Sequence, residues 1–179
     1  MNKSILYFLL FTFAATTWTA CDDDDEIPMV ENPEELITTV NVSLASPTDA
    51  ATLTFRDLDG DGGDAPIITG GTLDANTTYS FTTTFLNETE TPAEDVTEEV
   101  REEGTDHFVI YESADLNFTF MRSDVDDDGN PLGLTGTLTT GDVGTGELQV
   151  ILRHQPVKTP DGATGGDTDA DVSFPITVE

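Results

Sequence analysis

Alternation of apolar and polar residues with a period of two is the feature that most constrains the fold of this chain. Seven segments beyond residue 35 show this alternation, which in a β-strand places one face in a core and the other toward solvent. The polar faces are rich in threonine, a residue that favours strands and tolerates water. The segments are residues 36–44, 51–55, 79–85, 116–120, 132–138, 148–152 and 172–178.

Clusters of glycine, aspartate and asparagine separate these segments, and most of the connections lack a helical pattern. Short strands joined in this way predict an all-β fold, an antiparallel β-sandwich that is immunoglobulin-like in general architecture. A β-barrel is the alternative. We expect residues 35–179 to form this one domain, since 36% of the chain is hydrophobic and can supply a core.

One segment, residues 91–104, departs from the alternation and predicts a short acidic helix. Thr91 can cap its start, Pro92 suits a first turn, and Gly104 suits the exit. Its apolar stripe is narrow, so the helix is expected to lie across one end or one edge of the sandwich.

The first twenty residues have the properties of a bacterial lipoprotein signal peptide. A lysine precedes an apolar run at residues 5–15, which is too short to span a bilayer. The sequence Trp-Thr-Ala-Cys at residues 18–21 is typical of a lipobox, in which Cys21 becomes the lipid-carrying N-terminus. The alternative is an ordinary signal peptide followed by an incidental cysteine.

An acidic run, DDDDE, follows Cys21 directly, and residues 21–34 are expected to form a solvated tether. A cysteine followed at once by acids resembles the surface-export signal of lipoproteins in the Bacteroidetes group. We therefore expect display on the outer face of the outer membrane, with a periplasmic position as the alternative.

The charge balance excludes one class of partner and the cysteine count excludes several kinds of site. The 36 acidic residues exceed the 6 basic ones, giving a net charge of −30 that disfavours nucleic-acid binding. A single cysteine rules out an internal disulfide and any multi-cysteine zinc site.

Two acidic loops, the first at residues 57–64 and the second at residues 124–130, contain the pattern DxDxDG. In calcium loops this spacing directs oxygen ligands to one side of a tight turn, so we predict calcium sites here. Ile68 and Thr135 stand where an EF-hand has its bidentate glutamate, so these are not EF-hands. The alternative is a plain turn built from aspartate and glycine. The candidate ligands are Asp57, Asp59, Asp61, Asp64, Asp124, Asp126 and Asp128.

His107 and His154 are the only histidines. Together with Glu102 or Glu103 they would bind a transition metal if their strand ends were neighbours. The alternative is two separate histidines at the surface or at strand ends. No nucleophile or acid/base pair stands out in the sequence, so we expect no catalytic residues and no enzyme.

Several stretches together resemble an uncharacterised group of small flavobacterial lipoproteins: CDDDDE, EELITTV, FRDLDGDGGDAP, LNETETPAEDVTEEVREEGTDH, DDGNPLGLTGTLTTG and LRHQP. Some members carry the label "type 1 periplasmic binding fold superfamily protein", which implies a two-lobed α/β receptor. The chain lacks the alternating strand and helix pattern of such a receptor. The resemblance implies a lipoprotein of the cell envelope and carries over no functional residues.

These observations predict a lipid-anchored, non-catalytic binding module in the cell envelope, with calcium in its acidic loops. Its membrane contact is the N-terminal lipid, and its partner is a protein or a glycan. A structural envelope component without a specific ligand is the alternative function. For a protein partner, the expected apolar patch includes Leu86, Met121 and Ile151 on the outer faces of their strands.

Overall fold

The computed structural model describes residues 35–60 and 63–179, and within them the chain forms two larger β-sheets, a two-stranded sheet, one short α-helix and one turn of 3₁₀ helix. The all-β sandwich is thereby confirmed. The predicted signal peptide, the predicted tether, Cys21 and Asp61 lie outside the described residues. The strands are β1 Thr39–Ala45, β2 Ala50–Arg56, β3 Ile67–Thr69, β4 Gly71–Leu73, β5 Thr78–Leu86, β6 His107–Ala114, β7 Thr119–Arg122, β8 Thr135–Thr139, β9 Gly144–His154, β10 Val157–Thr159, β11 Gly162–Thr164 and β12 Asp167–Val178.

The larger sheet has six strands in the order β3-β2-β1-β5-β8-β7, and all of its neighbours are antiparallel. The second sheet has four strands in the order β4-β12-β9-β6. Its β4–β12 pair is parallel, a departure from the purely antiparallel sheets that the sequence predicts. Strands β10 and β11 form a separate two-stranded hairpin.

Apolar side chains from both sheets form one core, as the alternation in the sequence requires. In β1 and β5, and in β9 and β12 from Leu148 and Val172 onward, every second residue points inward and is almost fully buried. Burial of each large side chain contributes about 1.5–3 kcal/mol. The core includes Val40, Val42, Leu44, Leu53, Tyr79, Phe81, Phe85, Val109, Leu138, Leu148, Val150, Leu152, Val172, Phe174 and Ile176.

Strand β6 is a strand that the alternation does not reveal. Phe108, Val109 and Tyr111 are all buried, so apolar residues lie on both faces and the period of two disappears. This strand forms one edge of the four-stranded sheet and begins at His107, and it is therefore important for the site described below.

The helix α1, Val96–Glu102, is shorter than the sequence predicts. Asp95 is the N-cap in place of Thr91, because its side chain accepts a hydrogen bond from the backbone N–H of Thr97. The Thr97 hydroxyl binds both backbone groups of Phe85, at 2.9 and 3.1 Å. Since β5 is an interior strand, the helix lies at an end of the sandwich and does not cover an edge. No helix in the described ranges is long and apolar enough to cross a membrane.

Candidate metal centre

The two histidines lie side by side inside the protein. His107 begins β6 and His154 ends β9, and the two residues are direct partners in the antiparallel register of these strands. Their rings stack with centroids 5.1 Å apart and an angle of 18° between the planes. The two residues are only 0% and 3% exposed, so they lie at strand ends, as the alternative allowed, but are neither at the surface nor separate.

Asp169 reaches the histidines through a β-bulge. In the pairing of β12 with β9, Thr168 lies opposite Arg153 and Ala170 lies opposite Leu152, which leaves Asp169 as an extra residue. Bulges of this kind redirect a side chain. The side chain of Asp169 is 0% exposed and faces both histidine rings.

Glu35 supplies the second carboxylate, from the segment that precedes β1. Its side chain is 3% exposed although the residue lies outside any strand. Glu35, His107, His154 and Asp169 are named here the His/carboxylate cluster. One nitrogen or oxygen atom from each of the four side chains can be chosen so that all lie within 4.8 Å of one another.

Four distances between histidine nitrogens and carboxylate oxygens describe the geometry. Nε2 of His107 lies 3.0 Å from Oε1 of Glu35 and 3.7 Å from Oδ2 of Asp169. Nδ1 of His154 lies 3.9 Å from Oε2 of Glu35 and 3.5 Å from Oδ1 of Asp169. Each imidazole therefore presents one nitrogen to the same two carboxylates.

The carboxylate oxygens of this cluster lack hydrogen bonds. Both oxygens of Glu35, both of Asp169, and Nε2 of His107 are buried without a hydrogen bond within the described part of the protein. Nε2 of His107 lies 3.0 Å from Oε1 of Glu35, so the two side chains form an ion pair when the ring is protonated. Buried polar atoms are normally satisfied, and leaving them unsatisfied costs about 1–3 kcal/mol each.

The carboxylates also differ in the direction of their pKa shifts. Burial raises the pKa of Asp169 to about 7, and the charge of Glu35 adds to the shift. Burial acts in the same direction on Glu35, but contact with His107 outweighs it and lowers the pKa of Glu35. Burial opposes the charged form of His107, while Glu35 outweighs that effect and raises the pKa of His107. The charge state of each of these groups therefore shifts the pKa of its neighbours in the cluster.

The environment fixes the tautomer of His107 that a metal requires. Nδ1 of His107 lies 3.1 Å from the backbone carbonyl of Glu103, and a carbonyl can only accept, so Nδ1–H donates. The lone pair of a neutral His107 is then on Nε2, the atom that faces Glu35 and Asp169. Metal-binding histidines are commonly oriented by a hydrogen bond from their other ring N–H to a carbonyl.

The donor set fits a divalent transition metal. A tetrahedral ion with bonds of 2.0–2.2 Å places its ligands about 3.3–3.6 Å apart. The nitrogen–oxygen distances of 3.0, 3.7, 3.9 and 3.5 Å lie on both sides of that range, with each carboxylate turning one oxygen toward each histidine. Two carboxylates and two neutral imidazoles balance the charge of a divalent ion, which removes the cost of burying unpaired charge. Imidazole nitrogens suit zinc-class ions, whereas calcium prefers oxygen ligands alone.

The first acidic loop forms a turn in which its carboxylates bind the loop's own backbone. Asp57 accepts a hydrogen bond from the N–H of Gly60 at 3.0 Å, and Asp59 accepts one from Asp64 at 2.8 Å. Gly60 has a φ of 66°, the left-handed conformation that a glycine tolerates. These contacts are those of the turn alternative, and calcium at this loop stays a prediction.

In the second acidic loop two carboxylates point inward and Asp128 is exposed. Asp124 accepts hydrogen bonds from the backbone N–H groups of Gly133 and Leu134, at 3.0 and 2.8 Å. Oδ1 of Asp126 accepts from the N–H groups of residues 128 and 130. Its Oδ2 lies 2.7 Å from Nζ of Lys158, so Asp126 is held by a buried cation of the protein itself.

A cavity of about 470 Å³ brings the first acidic loop and the His/carboxylate cluster together. Its lining includes Asp57 and Asp59 of the loop, together with Asp171 and Asp169, the one member of the cluster that lines it. Its apolar lining includes Phe55, and none of its lining residues is basic. An acidic cavity of this kind attracts cations.

The structure brings the two histidines together, as the metal hypothesis requires, and places a carboxylate oxygen of Glu103 within 4.8 Å of one of Glu35. Glu102 is exposed on the helix, and Glu103 contributes its backbone carbonyl to His107. The missed residues are Glu35 and Asp169. A bulge is not visible in the alternation, and Glu35 precedes the first strand, so neither gives a periodic signal.

The expected apolar patch is only partly exposed. Met121 is 67% exposed and Leu86 is partly buried. Ile151 is 8% exposed, because it lies on the face of the sheet where Ile110 of β6 is its direct partner. These three residues therefore do not form one exposed surface.

In comparisons with known proteins, no family model matches this chain, and no curated protein or solved structure matches it significantly.

Proposed function

We propose that this chain is a lipid-anchored protein of the bacterial cell envelope whose β-sandwich binds one divalent transition metal ion at the His/carboxylate cluster. The observation that carries the proposal is the buried set of two imidazoles and two carboxylates, from which one ligand atom each can be chosen within 4.8 Å of all the others. The ligand types favour zinc or an ion of similar size and coordination preference.

The burial of the four side chains supports a binding role without catalysis. Their exposed fractions lie between 0 and 4%, and four protein ligands complete a tetrahedral centre. Catalytic zinc sites keep a coordination position open to water or substrate. The acidic cavity next to Asp169 supplies the attraction for a cation on its way to the centre.

The experiment uses the full chain purified in detergent, stripped with a chelator and dialysed. Zinc is titrated by isothermal calorimetry, and the bound metal is counted by mass spectrometry of the element. We expect one zinc ion per chain, bound in the presence of a large excess of calcium. Failure of the wild type to retain zinc contradicts the proposal.

Matched variants separate this centre from the general acidity of the protein. Glu35→Gln and His107→Ala each remove a ligand and should weaken zinc binding at least about tenfold. Glu102→Gln removes an equal charge from an exposed position on the helix and should leave the affinity unchanged. Equal weakening by Glu35→Gln and Glu102→Gln would identify non-specific attraction of cations.

Anchoring is tested by a different variant. The proposal places the lipid on Cys21, so Cys21→Ala should release the protein from the membrane fraction of cells while zinc binding by the purified domain persists. Protease treatment of intact cells distinguishes the outer face of the outer membrane from the periplasm. An unchanged membrane fraction for Cys21→Ala contradicts the lipid anchor alone.

A further inference from the structure

The four ligands of the His/carboxylate cluster come from two different parts of the fold. His107, His154 and Asp169 lie on β6, β9 and β12, which are neighbouring strands of the four-stranded sheet. The ladder of backbone hydrogen bonds holds these three ligands in place relative to one another. Glu35 belongs to the segment that leads into β1, a strand of the six-stranded sheet.

The segment at residues 35–37 has few other attachments. Among the described residues, its backbone hydrogen bonds to the rest of the domain begin at Thr38, whose N–H donates to Leu86 and whose carbonyl accepts from Asp57. Leu36 is 61% exposed, and Ile37 packs only partly against the core. The carboxylate of Glu35 is therefore a principal contact between this segment and the four-stranded sheet.

We infer that a metal ion at the His/carboxylate cluster fastens residues 35–37 to the four-stranded sheet, so that metal occupancy decides whether the start of the domain is held or released. This inference rests on the proposed function. A bond from the ion to Glu35 would connect the start of the first strand to the opposite sheet. The predicted tether of residues 21–34 precedes this point directly, and a metal-loaded domain would thus have a fixed exit toward its membrane anchor.

Thermodynamic linkage makes the inference quantitative. If Glu35 increases the affinity of the centre for zinc by some factor, zinc must favour the attached state of Glu35 by the same factor. The loss of affinity in Glu35→Ala and the zinc-dependent slowing of local opening at residues 35–37 should therefore agree. We expect both to be at least about tenfold.

Hydrogen exchange followed by mass spectrometry measures that opening in the full chain in detergent. Exchange of the peptide that contains Leu36 and Ile37 is compared with saturating zinc and with chelator. The result expected for the wild type is slower exchange with zinc. Bound zinc with unchanged exchange at these residues overturns the inference and leaves the proposed function intact, whereas absence of bound zinc overturns both.

Two variants provide a matched comparison, because each removes one carboxylate ligand. Zinc is raised until calorimetry shows that each variant is loaded through its three remaining ligands. Asp169→Ala retains Glu35 and should keep the zinc-dependent protection, whereas Glu35→Ala should lose it. Equal protection in both loaded variants overturns the inference. If either variant misfolds, Glu35→Gln and Asp169→Asn replace the pair.

Discussion

The second acidic loop and the His/carboxylate cluster both bury carboxylates, but different groups surround them. Asp126 in the loop has two backbone N–H donors and the ammonium group of Lys158. Glu35 and Asp169 in the cluster face the two imidazoles and each other, and their oxygens have no hydrogen bond within the described residues. The conspicuous motif thus uses its acids to build a turn, and the inconspicuous acids are those left available for an ion.

The pKa of Asp126 shows that groups of the protein itself stabilise the ionised carboxylate in this loop. Burial disfavours the ionised form, but contact with Lys158 and the backbone N–H donors outweigh burial and place the pKa of Asp126 below its ordinary value. At Asp169 the charges of the two histidines also lower the pKa, but burial together with Glu35 outweighs them and raises it to about 7. A buried acid with an internal cation is a structural element, whereas a buried acid without one is a candidate ligand.

Removing the internal cation should turn the second loop into an unsatisfied site. Lys158→Met leaves Asp126 buried without its ion pair and removes donors to the carbonyls of Gly104 and His107. We expect a loss of about 3–5 kcal/mol in the free energy of unfolding, the usual cost of breaking a buried pair. Urea denaturation measures the change.

Two further variants control for this result. Asp128→Asn alters an exposed acid of the same loop and should change stability by less than about 0.5 kcal/mol. Lys158→Met combined with Asp126→Asn should recover part of the loss, because no unpaired charge remains. A Lys158→Met protein as stable as the wild type would show that the loop tolerates an unpaired carboxylate, and the contrast with the cluster would disappear.

Removing a carboxylate from the His/carboxylate cluster should stabilise the metal-free protein, whereas removing Lys158 from the second loop destabilises it. Asp169→Asn removes one of two neighbouring carboxylates, and in the presence of chelator we expect the free energy of unfolding to rise by about 1–2 kcal/mol. With zinc the order should reverse, because the wild type gains about 4 kcal/mol at a zinc concentration a thousand times its dissociation constant and the variant gains less. Thermal unfolding with and without zinc provides the measurement. The same order of stability under both conditions would contradict a metal centre here.

If the first acidic loop bound calcium, its carboxylates would also be ion ligands, and the difference between the acidic loops and the His/carboxylate cluster would be smaller. Extracellular calcium modules bind with dissociation constants of about 10⁻⁴–10⁻³ M, so calcium at ten times that constant should stabilise the domain by about 1.4 kcal/mol. Asp59→Ala combined with Asp61→Ala should remove the calcium-dependent rise in melting temperature and leave zinc binding intact. A wild type whose melting temperature ignores calcium would leave only the turn.

The strands and the core were predictable from sequence because a half-buried strand imposes a period of two on its residues. All seven alternating segments overlap strands, and residues such as Val42, Phe81 and Phe174 are in the core. Strand β6 escaped because it buries residues on both faces. Because β6 was not among the predicted strands, the sequence did not show that His107 and His154 are direct partners.

The site was predictable only in part, because its two acids depend on long-range structure. Asp169 follows the outward phase of β12 in the sequence, and only the bulge turns it inward. Glu35 joins the cluster because its segment passes close to the opposite sheet, a consequence of packing that local sequence does not encode. The exposed Glu102 lies closer to His107 along the chain, which is why the sequence favoured it.

The bulge in β12 also has a consequence for how such a centre could arise in evolution. Thr168 and Ala170 pair with the consecutive residues Arg153 and Leu152, as two adjacent residues of an unbroken strand would. Insertion of a single codon between two such positions adds a ligand and leaves the inward and outward faces on both sides unchanged. A sandwich that already carried a cross-strand histidine pair would thus be one insertion away from a third ligand, a step short enough for neutral drift and simple enough to copy in protein design.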